Sequence, residues 1–409
     1  MAEQLSFDEI QQAINGDAAA FRCRRRLQPA GGEGDKVFPP TFAGAVYAIE
    51  QRRLPGREES VTCVLLDSVQ SQANRMELAL QEAVDAGRIT LPLVAVDFST
   101  HGPTGDVEAD LQAGRLIEAV GTITSLQAPH RLADAILRDS ELDGQPFRHS
   151  EIGKSLNTVG LANATPLFEL CPTALLFGMW DSTGPKGGLG PKFERALVSE
   201  IVGIGAEYHD DYRARGVRRD PLEISRNVPV VRNEDKSLRK VADAKEKGAV
   251  RPSEINHSSV PFDSPNSGVT VEYAEQTTTL SLIGLRRLRF PIDGQTSGAA
   301  DQTARAVLAT LGLCAATLAF ETGVGLRSRS LLWPDGPMVW ELLERPGQSP
   351  RTFELTGDQA VALFNDAVAA ARDAGLKWRE EPVTLQPSEP LLELVRRSQN
   401  LARQEGVQE

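Results

Sequence analysis

Three residue patterns in this 409-residue chain have the types and spacing to do chemistry. The first is DSTGPKGGLGPK, residues 181–192, in which Gly184, Gly187, Gly188 and Gly190 accompany Lys186 and Lys192. Glycines allow close backbone approach and positive φ. With two lysines added, such a loop could hold a polyanion. The second is FRCRRRLQPA, where Arg22, Arg24 and Arg26 share one face of an extended strand. Guanidiniums so spaced can follow a phosphate backbone bidentately. Three same-side arginines repel one another unless an anion lies near, which favours binding over an ordinary charged sheet face. The third is LDSVQSQANR, which gathers Ser68, Gln70, Ser71, Gln72, Asn74 and Arg75 in the first turns of a helix. Free amides and the positive end of the helix dipole there suit a phosphate or ribose.

Arginines recur in LSLIGLRRLRFP (Arg286, Arg287, Arg289) and GVGLRSRSLLW (Arg327, Arg329). Read as strands, these segments put Arg287 with Arg289, and Arg327 with Arg329, on one side each. Three such strands in an acidic chain predict one composite basic groove. Aromatic residues are only 5% of the sequence, so backbone tracking is expected over base stacking.

Enzyme motifs fit less well. Gly153-Lys154-Ser155 ends like a P-loop, but Arg148 stands where the first glycine belongs. Lys154 is then a surface or phosphate-contacting lysine. The loop at 181–192 has no GxGxxG, and Pro185 and Pro191 each lack an amide donor; dinucleotide binding is a weaker alternative. His209, Asp210 and Asp211 in YHDD could bind a divalent ion or do acid–base work, though a solvated helix end explains them equally well. No HExxH or GxSxG occurs. The expectation is no catalytic residue, no metal and no cofactor.

The elements that must position these residues read as follows. Strands are expected over 21–27, 43–49, 61–66, 89–96 (an edge, from Pro92), 171–180, 269–273, 279–290, 326–333 and 338–343. Helices are expected over 68–86, 128–138, 193–204, 299–320, 359–374 and 391–402, and Ser6 with Glu9 forms a capping box. Residues 208–268 show little periodicity and several prolines. The predicted organisation is a part over 1–207, a basic irregular insertion over 208–268, and a closing part over 269–409. The fold class is α+β with an antiparallel sheet.

Composition narrows the setting. Net charge is −12, which speaks against a uniformly basic nucleic-acid domain. Charge is segregated, however: residues 213–251 hold 12 Lys/Arg against 6 Asp/Glu, and residues 339–409 hold 8 against 12. The four cysteines form no CxxC pair, which points to a reducing, cytoplasmic compartment. The N-terminus does not resemble a secretory signal, and no apolar stretch is expected to span a membrane.

Four blocks, RRRLQPAGGEGDKVFPPTF, CVLLDSVQSQANRMELAL, FRHSEIGKSL and LFELCPTALLFGMWDSTGPKGGLGPKFERALVSEIVG, together resemble the repeated backbone subunit of type I-G (formerly I-U) CRISPR effector complexes, of the RAMP superfamily. The resemblance implies a modified RRM-like (ferredoxin-like) palm with inserted finger and thumb elements. It implies copies polymerising along CRISPR RNA in a Cascade complex for antiviral defence, with target DNA paired to the guide and catalysis left to other subunits. Ser71, Gln72 and Arg75 are then RNA contacts, and the 181–192 loop faces RNA or a neighbouring subunit. Apart from the resemblance, Lys36, Asn74 and Lys154 are further RNA-binding candidates. A related alternative is a metal-dependent ribonuclease, with His209, Asp210 and Asp211 as first suspects.

Overall fold

The structure is a computed structural model that describes residues 3–43, 46–184, 187–208, 228–235, 237–243, 246–255 and 268–408. It opens with β1 (Glu3–Gln4) and α1 (Phe7–Asn15), whose start is closed by the Ser6–Glu9 capping box. Next come β2 (Ala20–Pro29), β3 (Ile49–Arg52) and β4 (Val61–Asp67), then α2 (Val69–Asp85), capped by the Ser68 hydroxyl accepting from the Ser71 amide. Smaller elements follow: β5 (Val94–Asp97), α3 (Val107–Gln112), β6 (Thr122–Thr124), α4 (Ala135–Arg138), β7 (Ser140–Leu142), β8 (Gln145–Pro146) and α5 (Glu151–Ser155). Two short helices, α6 (Thr165–Leu170) and α7 (Thr173–Phe177), lead into β9 (Met179–Trp180), β10 (Lys192–Phe193) and β11 (Leu197–Ile204). After β12 (Val230–Arg232) and β13 (Leu238–Val241) come β14 (Tyr273–Ser281), α8 (Leu282–Arg286) and the long α9 (Gly298–Phe320). The chain closes with β15 (Val324–Arg327), β16 (Ser330–Pro334), β17 (Val339–Leu343), β18 (Arg351–Glu354), α10 (Gly357–Asp373), β19 (Val383–Pro387) and α11 (Glu389–Gln408).

The fold is α+β, as expected. A ten-stranded sheet runs β1-β18-β17-β2-β14-β11-β4-β3, with the β15–β16 hairpin also paired to β2. Its pairs are antiparallel except β1 with β18. A five-stranded sheet, β6-β5-β19-β7-β8, joins the N-terminal half to β19 near the C-terminus. Phe21, Cys23, Arg25 and Leu27 of β2 point to the core, and the alternate residues point away. On the core side α9 packs against α1, α2, α8, α10 and β14. Helix α9 is long and apolar enough to cross a membrane, contrary to the sequence expectation, but most of it is buried inside this protein.

Several elements depart from the sequence reading. Residues 171–180 are not one strand; they form α7 and the two-residue β9, separated by Gly178 at φ 82°. A short run buried on all sides carries no period that separates helix from strand. The expected helix over 193–204 is instead β10 and β11. Leu197, Ser199 and Ile201 are buried while Val198 is exposed and Glu200 partly so, an alternation of two. The expected strand over 279–290 stops at Ser281, whose hydroxyl accepts from the Gly284 amide and starts α8. The expected strand over 326–333 is a hairpin that turns at Arg329, φ 57°. Strand β3 begins only at Ile49. Strand β5 is interior rather than an edge, and Pro92 precedes it. Only residues 135–138 of the expected 128–138 helix are α-helical.

Candidate nucleic-acid interface

The polar start of α2 is largely a structural network. Gln72 is 0% exposed. Its amide donates to Asp67 Oδ2 at 2.6 Å and accepts from Ser199 Oγ at 2.8 Å and Gln276 Nε2 at 2.9 Å. Its side chain therefore cannot reach a ligand on the surface, which corrects its expected role. Arg75 donates to Asp67 at 2.9 Å and to the carbonyls of Gly325 and Leu326 at 3.0 and 3.1 Å, tying α2 to the β15–β16 hairpin. Arg327 supports the same junction through the Phe38 and Leu66 carbonyls, and burial lowers its pKa. Ser71 is partly exposed and Asn74 exposed.

Arg22, Arg24 and Arg26 do share the sheet face turned from the helices. Register gives rows across β17, β2, β14 and β11: Glu341–Arg22–Thr279–Val198, Arg24–Thr277–Glu200, and Arg26–Glu275–Val202. The repulsion expected among the arginines is absent because acids sit beside them. Arg22 pairs with Glu341 at 2.6 Å and Arg24 with Glu275 at 2.8 Å. The hydrogen bond and charge of Glu275 raise the pKa of Arg24. Arg26 lies 4.3 Å from the centroid of the Tyr273 ring. Arg24 and Arg26, with Arg25, Glu275 and Glu341, line a cavity of about 320 Å³.

The glycine-rich loop has a local explanation. Asp181 is buried, pairs with Arg148, and its amide donates to the Pro191 carbonyl at 3.0 Å. A Cβ at Gly190 would stand 1.9 Å from the Asp181 carbonyl oxygen, and one at Gly184 would stand 2.5 Å from its carboxylate. Those glycines serve close packing on Asp181. No helix follows the loop, so the expected strand–loop–helix setting for a phosphate is missing. Instead β9 and β10 form a hairpin stem in which Lys192 lies opposite Trp180. The Lys192 ammonium is 5.5 Å from the centre of the Trp180 ring. Lys186 lies outside the described residues.

Beside this stem runs a groove of two adjoining cavities, about 770 and 420 Å³, sharing Lys192, Phe193, Glu194 and Arg195. Val198, on the outward sheet face, lines the larger one, so the arginine-bearing face leads into the groove. Arg131, Arg138, Lys192, Arg195 and Arg287 line it against the carboxylate of Glu194. Beneath it Arg131 and Glu77 form a bidentate pair at 2.6 and 2.8 Å, and Arg131 also donates to the Gly178 carbonyl at 3.0 Å. Arg287 makes only a loose contact with Glu194 at 3.4 Å.

Of the other sequence-predicted residues, Arg287 and Arg289 do not share a strand face. They follow α8, where Arg289 leans on Asp301 at 3.4 Å and on backbone carbonyls. Arg329, at the hairpin turn, stacks over the ring of Phe38 at 4.6 Å, the residue whose carbonyl accepts from Arg327. Lys36 is partly exposed, and Lys154 is exposed on α5, away from any P-loop geometry. Sequence reasoning missed Trp180 and Arg195. The usable signal was an aromatic and an arginine at the two ends of the glycine loop. Among the described residues no three His, Cys, Asp or Glu side chains gather as a metal site; His209, Asp210 and Asp211 lie outside them.

No curated protein matches the chain. Residues 21–208, the stretch from β2 through β11, match the model of a family described as CRISPR-associated protein GSU0053 (Cas_GSU0053), a match that marks the chain as CRISPR-associated.

Proposed function

We propose that this chain is a non-catalytic backbone subunit that binds CRISPR RNA in a type I-G Cascade complex, several copies lying along one guide that pairs with target DNA. The single observation that carries the proposal is the groove beside the β9–β10 stem, where Arg131, Arg138, Lys192, Arg195 and Arg287 face the carboxylate of Glu194 on a chain of net charge −12. The outward arginine face of β2 continues through Val198 into the groove beside the β9–β10 stem. The family match over 21–208 takes in β2 and the segment from β9 to β11 that carries Lys192, Arg195 and Val198, but not β14, which lies between β2 and β11. A broad antiparallel sheet with helices on one side is also what an RRM-like palm would require. Exposed guanidiniums offset by neighbouring acids suit a mobile polyanion, which can exchange those partners for phosphates.

The test is binding of single-stranded RNA by the full chain across a salt series, with and without divalent metal. The expected result is sequence-tolerant binding, with log K falling by about 0.7 per neutralised phosphate for each unit of log salt. RNA should stay intact, and particle size should grow with RNA length. Cutting at regular spacing in metal would favour the ribonuclease alternative, and absence of RNA binding would end the proposal.

A further inference from the structure

Resting on the RNA-binding reading above, we infer that Trp180 is a stacking platform for one base of a single-stranded nucleic acid, with Lys192 and Arg195 holding the neighbouring phosphates. Trp180 is 53% exposed, although a large apolar ring normally gains by burial. A single exposed apolar residue means little, so its setting decides. The ring stands at the lip of the groove, whose two cavities of about 770 and 420 Å³ are of the size that admits small organic groups.

Charge selects the occupant. Arg131 is neutralised by Glu77, and Arg138 by Asp139 at 2.8 Å. Lys192 and Arg195 make no ion pair with a carboxylate among the described residues, and Arg287 holds Glu194 only loosely. The groove therefore keeps positive charge on a negative protein. An aromatic ring flanked by uncompensated cations is the combination that binds an unstacked base and its phosphates.

The platform is also held rigidly. Arg131, fixed by Glu77, donates to the Gly178 carbonyl immediately before the stem. A Cβ at Gly178 would approach the Phe193 carbonyl oxygen at 2.9 Å and Arg195 Cγ at 3.2 Å, so both sides of the stem pack closely at its base.

The experiment titrates a fluorescein-labelled oligouridylate into the full-length protein and its Trp180→Ala, Trp180→Phe and Arg195→Ala variants. A companion oligomer of abasic ribose phosphates of equal length is run in parallel. Trp180→Ala is expected to weaken oligouridylate binding by about 5- to 150-fold, the range for losing one stacked base. Trp180→Phe should retain most of the affinity. Arg195→Ala should lower the salt slope by about 0.7. On the abasic oligomer, wild type and Trp180→Ala should bind alike.

Unchanged oligouridylate affinity in Trp180→Ala, with wild type binding normally, overturns the platform and leaves the RNA-binding reading intact. The same holds if Trp180→Ala weakens both oligomers equally, since stacking is then not what was lost. If Trp180→Ala keeps its RNA affinity but loses self-association in sedimentation, the groove is a protein-docking surface and the inference falls. If wild type binds neither oligomer, both readings fall together.

Discussion

The buried pair of Glu77 and Arg131 lends itself to a double-mutant cycle. Their side chains are 4% and 9% exposed, and two hydrogen bonds of 2.6 and 2.8 Å join them. Arg131 also sits at φ 53°, a left-handed conformation that costs a non-glycine residue about 1–3 kcal/mol, so the pair must hold it there. Glu77→Leu would leave the guanidinium with the Gly178 carbonyl and the Phe177 ring but no counter-charge, and an uncompensated buried charge destabilises by about 3–5 kcal/mol. Arg131→Met would strand the carboxylate, whose pKa burial already raises against the pull of Arg131. In that variant the folded state binds a proton more tightly than the unfolded chain. The loss should therefore be smaller near pH 5 and grow as pH rises above the ordinary carboxylate range. The double variant should lose less than the sum of the two single losses, because apolar groups in both places leave no buried charge, while the strained backbone at residue 131 and the unpartnered Gly178 carbonyl keep it below wild type. Urea unfolding followed by coincident fluorescence and circular dichroism measures all four proteins. If the double variant loses the sum of the two single losses, the pair carries no coupling and this account of the groove floor is wrong.

Other outcomes follow from single sites. Gln72→Leu should cost about 1–3 kcal/mol by leaving Gln276 Nε2 without its acceptor and taking one hydrogen bond each from Asp67 and Ser199, which keep Arg75 and Thr278, while RNA affinity of the folded protein holds; a tenfold loss of affinity would restore Gln72 as a contact. Gly190→Ala should lower the melting temperature, since its Cβ would meet the Asp181 oxygen at 1.9 Å, whereas Gly188→Ala, with open space around it, should be neutral; equal melting of the two would refute the packing role. The thiols of Cys23 and Cys314 are pushed up from the ordinary 9.0 to about 12 by burial. Their contribution to stability is thus complete below pH 9 and lost as pH rises towards 12. Thiol reagents should label the native protein slowly at pH 8 and rapidly in urea, and rapid native labelling would contradict the burial.

Where one segment determines its own structure, the sequence was readable. Alternation marked β2, β-branched residues marked β4, and Ser68 marked the start of α2. The period failed at β11, because Phe193, Ala196, Leu197 and Ile201 fit a helical face as well as a strand. It failed again at α8, where Ser281 capping its helix was lost inside an apolar run. The arginine faces show a different limit. Arg22 was correctly placed on a face, but its partner Glu341 lies 319 residues away and that of Arg24 lies 251 away. Local pattern carries no record of such partners, so repulsion was inferred where pairing exists. Burial of Gln72 was hidden for the same reason, since Ser199 and Gln276 come from distant strands.

Strand order bears on how the polypeptide can be divided. The family-matched stretch contains β2 and β11, yet the two never touch: β14, from beyond that stretch, lies between them. Expressed alone, residues 21–208 would leave β2 with no neighbouring strand, since β14, β16 and β17 all come later, and β11 with one raw edge, a configuration that invites aggregation. The reach of the family match and autonomy of folding thus have different borders in this molecule, and a truncation drawn at residue 208 would cut through the middle of its sheet rather than beside it.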